Sequence, residues 1–392
     1  MFMEQFILFD SFNNSSIIQN LIELKKEYKQ EVYNKTLSEL LREGYRLSLE
    51  GNILKSYICY LISNDENPLT LMAEHKGKNV ESAIYNIALK DIEKIVYLFN
   101  THMEFCNMED KGNSKEEKIL SIMNNNEKPE DILDQLLELF YKNGAGLMNR
   151  YKAFKWSREV GLIGIDKCDP ITFDELIGYE RQRSILVKNT EEFLKGNDAN
   201  NVLLFGDSGT GKSSSIKALL NKYSSSGLRV LELNKSDFMD LNNILSVIGN
   251  RGVKFILFLD DLSFEEFESE YKNMKALIEG GVEVKPKNIL IYATSNRRHL
   301  IRETWNDRQG EDIHVSDTRQ EKYSLSERFG ITLTYTSASQ VEYLNIVMEL
   351  AKIKGIDIQE DILKEKALQW AALNTGRSGR IAKQFIMSLN TL

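Results

Sequence analysis

The chain has 392 residues, 42% of them hydrophobic, which is enough for two or three domains with proper cores. A net charge of −8 argues against a broad nonspecific nucleic-acid surface but leaves room for a local basic patch. No apolar run approaches the ~18 residues of a membrane span, and three scattered cysteines without a CxxC pair fit a reducing cytoplasm rather than a disulfide framework or a metal centre.

The first residues, MFMEQFILFDSF, are apolar but short, carry Glu4 and Asp10 and lack a basic start, so they make a poor signal peptide. They are expected to pack on the protein itself or on a partner. From about Ser16 to Lys155 the pattern is helical. Between Asn79 and Phe99, residues Val80, Ala83, Ile84, Ile87, Ile92, Ile95 and Phe99 recur near the 3.6-residue period. Pro129 suits a first helical turn and is followed by Glu130 and Asp131, acids favoured at a helix start. Ile132, Leu133, Leu136, Leu137 and Phe140 then form one stripe, closed by Gly144-Ala145-Gly146. This predicts an all-helical N-terminal domain over 1–160. Its stripes read as an ordinary core, with a partner-binding surface as the alternative.

Gly161–Asp169 reads as a linker into a second region, and a helix is expected from Glu180 to Leu194. The apolar run Val202–Phe205 then leads into Gly206-Asp207-Ser208-Gly209-Thr210-Gly211-Lys212-Ser213, followed by the helical Ile216–Leu220. This is G-x-x-x-x-G-K-[ST] between a strand and a helix, the context a phosphate-binding loop requires. Glycines let backbone N–H groups approach phosphates, and the helix start adds its unpaired donors and positive dipole end. Lys212 can reach the β- and γ-phosphates of ATP, and the Ser213 hydroxyl can bind Mg²⁺.

Strand-like and helical stretches then alternate: Arg229–Leu233, Leu241–Ile248, Phe255–Leu259, Phe267–Ile278 and Asn288–Ala293. Alternation of this kind predicts an α/β core with a parallel sheet over 161–338. Val341–Ile353, Ile362–Leu373 and Arg380–Leu389 are wholly helical and predict a C-terminal helical lid over 339–392. The Phe255–Leu259 run ends in Asp260-Asp261, at the edge where open α/β sheets bind ligands. Asp260 fits the acid that supports Mg²⁺, and Asp261 the residue that polarises an attacking water. The next strand ends in Ala293-Thr294-Ser295-Asn296, where Asn296 can hydrogen-bond the γ-phosphate or the water. Arg297 and Arg298 follow, as a basic surface or a nucleic-acid contact.

Phosphate loop, strand-end acids, strand-end Asn and helical lid, in this order, resemble an AAA+ ATPase module. The resemblance extends to Ser324-Leu325-Ser326-Glu327-Arg328-Phe329-Gly330, similar to the segment that carries the arginine finger, and to Gly376-Arg377-Ser378-Gly379-Arg380, similar to the sensor-2 region. It implies Arg328 as the finger, supplied to a neighbour in a homo-oligomer, and Arg380 as the lid arginine. Asp174–Gly178 resembles the stretch that holds adenine, which assigns Ile177 and Gly178 to the base. From Tyr151 to Leu389 the motifs FLDDLSFE, YATSNRRHLI, SLSERFG and RSGR also resemble a bacterial family of predicted ATPases catalogued as domain of unknown function 815.

The resemblance implies Mg²⁺-dependent ATP hydrolysis that remodels or loads an unidentified protein or nucleic-acid partner. The alternative is a slow nucleotide-gated binding module or scaffold. Many AAA+ members have Asp-Glu where this chain has Asp-Asp, so the Asp261 carboxylate is set back by one methylene. That weighs toward slow hydrolysis. Glu265 stands nearby but is separated from the acids by Leu262-Ser263-Phe264.

Overall fold

The computed structural model describes residues 5–109, 115–262, 274, 278, 286–296, 328–374 and 376–389. They gather into two units, Met1–Tyr151 with Arg251–Val253, and Lys152–Asn250 with Lys254–Leu392.

The first unit is built from helices α1 (Asp10–Asn13), α2 (Ser16–Lys26), α3 (Gln30–Leu47), α4 (Ile53–Asn64), α5 (Pro68–Lys76), α6 (Ser82–Phe99), α7 (Glu117–Asn125), α8 (Pro129–Asn143) and α9 (Leu147–Arg150). Local chemistry sets several starts. The Ser15 side chain accepts the Ile18 N–H at α2, and Asn67 with Thr70 forms a reciprocal cap on α5 ahead of Pro68. The apolar stripes of α6 and α8 meet in one core, where Ile92, Ile95, Ile132, Leu133 and Phe140 are fully buried. Phe6, Phe9 and Phe12 join that core, so the apolar N-terminus packs on its own unit. Burial of each such ring contributes roughly 1.5–3 kcal/mol. The segment is also pinned by Asp91, a fully buried carboxylate that accepts the Ile7 and Leu8 N–H groups, both at 2.8 Å, and pairs with Lys94 at 3.2 Å.

The second unit holds β1 (Ala153–Ser157), β2 (Gly161–Gly164), α10 (Glu180–Leu194), β3 (Val202–Gly206), α11 (Lys212–Tyr223), β4 (Leu228–Glu232), α12 (Leu241–Gly249), β5 (Lys254–Leu259), β6 (Ile289–Ser295), β7 (Ile331–Tyr335), α13 (Gln340–Ile353), α14 (Glu360–Leu373) and α15 (Gly379–Leu389). The strands form one sheet in the order β2-β1-β4-β5-β6-β3-β7. All neighbours are parallel except β1 and β2. The central strands β5 and β6 are buried on both faces, as their continuous apolar runs require.

The structure departs from the sequence pattern around Gly161 in two ways. The helical pattern does not reach Lys155, and the segment from Gly161 does not begin as a linker, because Ala153–Ser157 and Gly161–Gly164 are paired strands. A five-residue run such as AFKWS has no intrinsic period long enough to separate strand from helix, and its pairing with β4 decides. Strand β7 was not among the expected elements. Its alternation of threonine with apolar residues is short, and it is fixed by pairing with β3 from Val202↔Ile331 to Gly206↔Tyr335. The helix expected over Phe267–Ile278 falls outside the described residues except for Met274 and Ile278.

Beyond β7, helices α13–α15 close around Tyr343, Val347, Leu363, Ala367, Phe385 and Ile386. No described helix is long and apolar enough to cross a membrane.

Candidate nucleotide site

Because β3 lies between β6 and β7, with β5 beyond β6, the carboxyl ends of these strands deliver their following residues to one place. The loop after β3 turns at Gly206, whose φ is +136° and whose Cβ, if present, would lie 1.9 Å from the Tyr335 carbonyl oxygen. Only glycine fits there. The loop is stitched to β7 as the Asp207 N–H donates to that same oxygen at 2.8 Å. Inside the loop the Thr210 hydroxyl donates to the Asp207 carbonyl at 2.8 Å. Gly211 precedes α11, so the first turn of that helix faces the loop.

Lys212 is buried, and its Nζ donates to the Gly206 carbonyl at 2.8 Å, the Asp207 carbonyl at 2.7 Å and Asn296 Oδ1 at 3.1 Å. Burial pulls its pKa below the usual lysine range, against the opposing pull of Asp207, Asp261 and Asp260. Asn296 also donates through Nδ2 to Asp261 Oδ1 at 2.7 Å. Its amide therefore bridges the lysine and the second acid. The first acid, Asp260, accepts the Ser213 hydroxyl and the Thr294 hydroxyl on the same Oδ1, each at 2.6 Å. Ser213 and Asp260 form a hard oxygen pair suited to Mg²⁺, an ion that takes one or two protein ligands and completes its shell with phosphate and water. Asp261 sits at φ +50°, a left-handed conformation uncommon outside glycine, Asn and Asp.

The side chain of Asp207 is directed to Ser337, accepting its N–H and its hydroxyl, both at 2.6 Å. These bonds hold the carboxyl below the usual aspartate range. On the opposite side the Arg380 N–H, at the start of α15, donates to the Gly209 carbonyl at 3.1 Å, and its Nη1 lies 3.4 Å from the Ser208 hydroxyl. A Cβ on Gly209 would come within 2.8 Å of Ser378 Oγ.

A cavity of about 620 Å³ opens beside this loop. Ile177, Gly178, Ile346, Leu350 and Ile386 line it together with the loop residues, Asp260, Asp261, Asn296 and Arg380. The backbone turns back on itself at Gly178 (φ +86°) and Tyr179 (φ +57°). Tyr179 packs on Tyr335 with ring centroids 4.8 Å apart. Arg183 steadies the same stretch by donating to the carbonyls of Phe173, at 3.0 Å, and Leu176.

Every residue expected at the site lines this cavity or borders it, with one exception. Arg328 is exposed and precedes β7, and at ~3.3 Å per residue it stands more than about 13 Å along the chain from Tyr335, where the loop is fastened. Arg297, Arg298 and Glu265 lie outside the described residues. Sequence reasoning passed over Thr294, Ser337 and Tyr335. The signal for Thr294 was a hydroxyl placed directly after the mostly apolar run Ile289–Ala293 and two residues before Asn296.

A family model described as "Protein of unknown function (DUF815)" matches residues 149–391. The replication factor C large subunit of Methanococcus vannielii is 33% identical over 85 residues, 22% of this chain and 17% of that protein. Its counterpart in Nanoarchaeum equitans is 37% identical over 83 residues, 21% of this chain and 19% of that protein. The chain thus spans less than a fifth of the length of these curated relatives. Among solved structures, the Thermotoga maritima RuvB Holliday junction branch migration motor is similar at 16% identity and a TM-score of 0.35, over 56% of this chain and 72% of that one. A DNA replication initiation factor is similar at 17% identity and a TM-score of 0.37, over 58% and 66%. The family model covers more than half of the chain, including the phosphate loop and both strand-end acids, and the chain belongs to the DUF815 family.

Proposed function

We propose that this protein hydrolyses Mg·ATP and uses the difference between its ATP-bound and emptied states to remodel or load a protein or nucleic-acid partner. The observation that carries the reading is the Asn296 bridge: one amide touches both the phosphate-binding Lys212, at 3.1 Å, and the acid Asp261, at 2.7 Å. A γ-phosphate that draws Lys212 to itself loosens that bridge. Asp261 is then free to accept a proton from a water aligned on the phosphorus, with the Asn296 amide orienting the water. Lys212 and Arg380 offset the charge that builds on the phosphoryl oxygens. Ser213 and Asp260 would hold Mg²⁺, which when bound neutralises the β- and γ-phosphate oxygens. Arg328 would act in trans as the finger at a neighbouring subunit's site, in a homo-oligomer.

The shortness of Asp261 favours a second reading, a slow nucleotide-gated switch whose bound state rather than its turnover does the work. Calorimetry and phosphate release on two variants test both. Lys212→Ala should weaken Mg·ATP binding sharply. Asp261→Asn should bind ATP as wild type does and lose turnover by about a hundredfold or more. Wild-type affinity in Lys212→Ala removes the site. Undiminished turnover in Asp261→Asn removes the role of that acid. A wild type that binds Mg·ATP but barely releases phosphate decides for the switch.

A further inference from the structure

Thr294 is almost fully buried, at 1% exposure, near the end of a strand whose other buried side chains are mostly apolar. A hydroxyl in such a place costs free energy unless its hydrogen bonds are made. They are made, and all of them fall on the two acids. The Thr294 Oγ1–H donates to Asp260 Oδ1 at 2.6 Å, and the oxygen accepts the Asp261 N–H at 2.9 Å. The Thr294 carbonyl accepts the next N–H, from Leu262, at 2.7 Å. One residue of β6 therefore holds the backbone on both sides of Asp261 and the carboxylate of Asp260.

We infer that Thr294 is a positioning residue for the proposed hydrolysis, setting the direction of the Asp261 carboxylate by holding that residue in its left-handed turn. The inference rests on the reading of the site as an ATP hydrolase. Asp261 is at φ +50°, a left-handed conformation that Asp tolerates better than most residues but leaves for the extended region unless hydrogen bonds hold it. The bond from its own N–H to Thr294 and the bond from Leu262 N–H to the Thr294 carbonyl supply that constraint. The turn brings Asp261 Oδ1 to Asn296 Nδ2. Thr294 also leaves Asp260 with a hydroxyl partner when the Ser213 hydroxyl is drawn away to a cation, so the first acid keeps its aim. A shorter acid has less latitude than a glutamate, and fixing its backbone is the direct way to place it.

The test compares Thr294→Val, which keeps the shape and deletes the hydroxyl, with Thr294→Ser, which keeps the hydroxyl and deletes a methyl. Steady-state phosphate release, Mg·ATP calorimetry and thermal melts are measured on the full chain. Thr294→Val should lose between about tenfold and a hundredfold in kcat, while its Kd for Mg·ATP moves far less. Thr294→Ser should recover most of that loss. In an Asp261→Asn background Thr294→Val should cost nothing further, since the two act as one unit. Should the valine variant not fold, Thr294→Ala carries the same loss of hydroxyl and the same expectation. A wild type that turns over beside an unimpaired Thr294→Val overturns the role of Thr294 alone, as does a serine variant no better than the valine one. A wild type that releases no phosphate overturns the hydrolase reading and this role together.

Discussion

Lys212 is the residue on which the site's electrostatics turn. Its ammonium is buried and its charge is opposed by desolvation, so with no phosphate to offset that cost it loses its proton at a lower pH than the ordinary value of 10.5. A triphosphate favours the charged form and raises that pKa again. The sign follows: well below the depressed pKa, Lys212 is charged before and after binding, and pH does not matter through this group. As pH rises through the depressed pKa, binding must take up a proton, and affinity falls before the ordinary lysine range is reached. Calorimetry in two buffers of different ionisation enthalpy should show net proton uptake on the alkaline side, lost in Lys212→Met. Binding without proton uptake there would contradict the account. At this scale the sequence was most legible for residues whose chemistry is local. Lys212, Ser213, Asp260 and Asn296 were each placed by a motif or by a strand end. Thr294 and Ser337 were not, because their work depends on the turn at Asp261 and on the return of the chain to Asp207, neither of which spacing encodes.

Among the elements, those with several turns of periodic apolar residues were readable. Helix α10 coincides with the expected Glu180–Leu194, and α13, α14 and α15 begin within two residues of their expected starts. The strands that escaped, β1, β2 and β7, are short and sit toward the rims of the sheet, where pairing rather than composition decides the backbone. β7 matters most, since its last residue backs the phosphate loop and the segment after it carries Ser337 into contact with Asp207. That contact predicts a link between the loop and the helical lid. Ser337→Ala removes the hydroxyl bond and keeps the backbone bond, and it should raise the Kd for Mg·ATP by about twofold to tenfold, the net worth of one solvent-exposed hydrogen bond. Arg380→Ala should lower kcat more than affinity if that side chain acts on the transferring phosphoryl group. A Ser337→Ala protein with unaltered binding and an unaltered melt would show that the link carries no energy.

At the scale of the whole molecule, the proposed finger role of Arg328 bears on whether the chain acts alone. It lies before the amino end of β7, whereas the phosphate loop is fastened to the other end of that strand, so it does not line its own cavity. If it serves a neighbour, specific activity rises with protein concentration. Arg328→Ala then binds ATP normally and hydrolyses about 10³-fold less or worse, the scale of an arginine finger. Mixing it with Lys212→Ala restores part of the activity, because one interface then pairs an intact loop with an intact finger. A rate per subunit that is flat over a wide concentration range, in a protein that elutes as a monomer with ATP, would count against the assembly.

The grip of Arg380 on the Gly209 carbonyl has a further consequence for timing. The first turn of α15 is tied to the phosphate loop through this main-chain bond, so a movement of the loop on phosphate binding pulls the helical lid with it. Capture then becomes a two-step event. In a stopped-flow trace with a fluorescent ATP analogue the observed rate would climb with ligand concentration and level off at the rate of the coupled lid movement, a ceiling belonging to the protein rather than to diffusion.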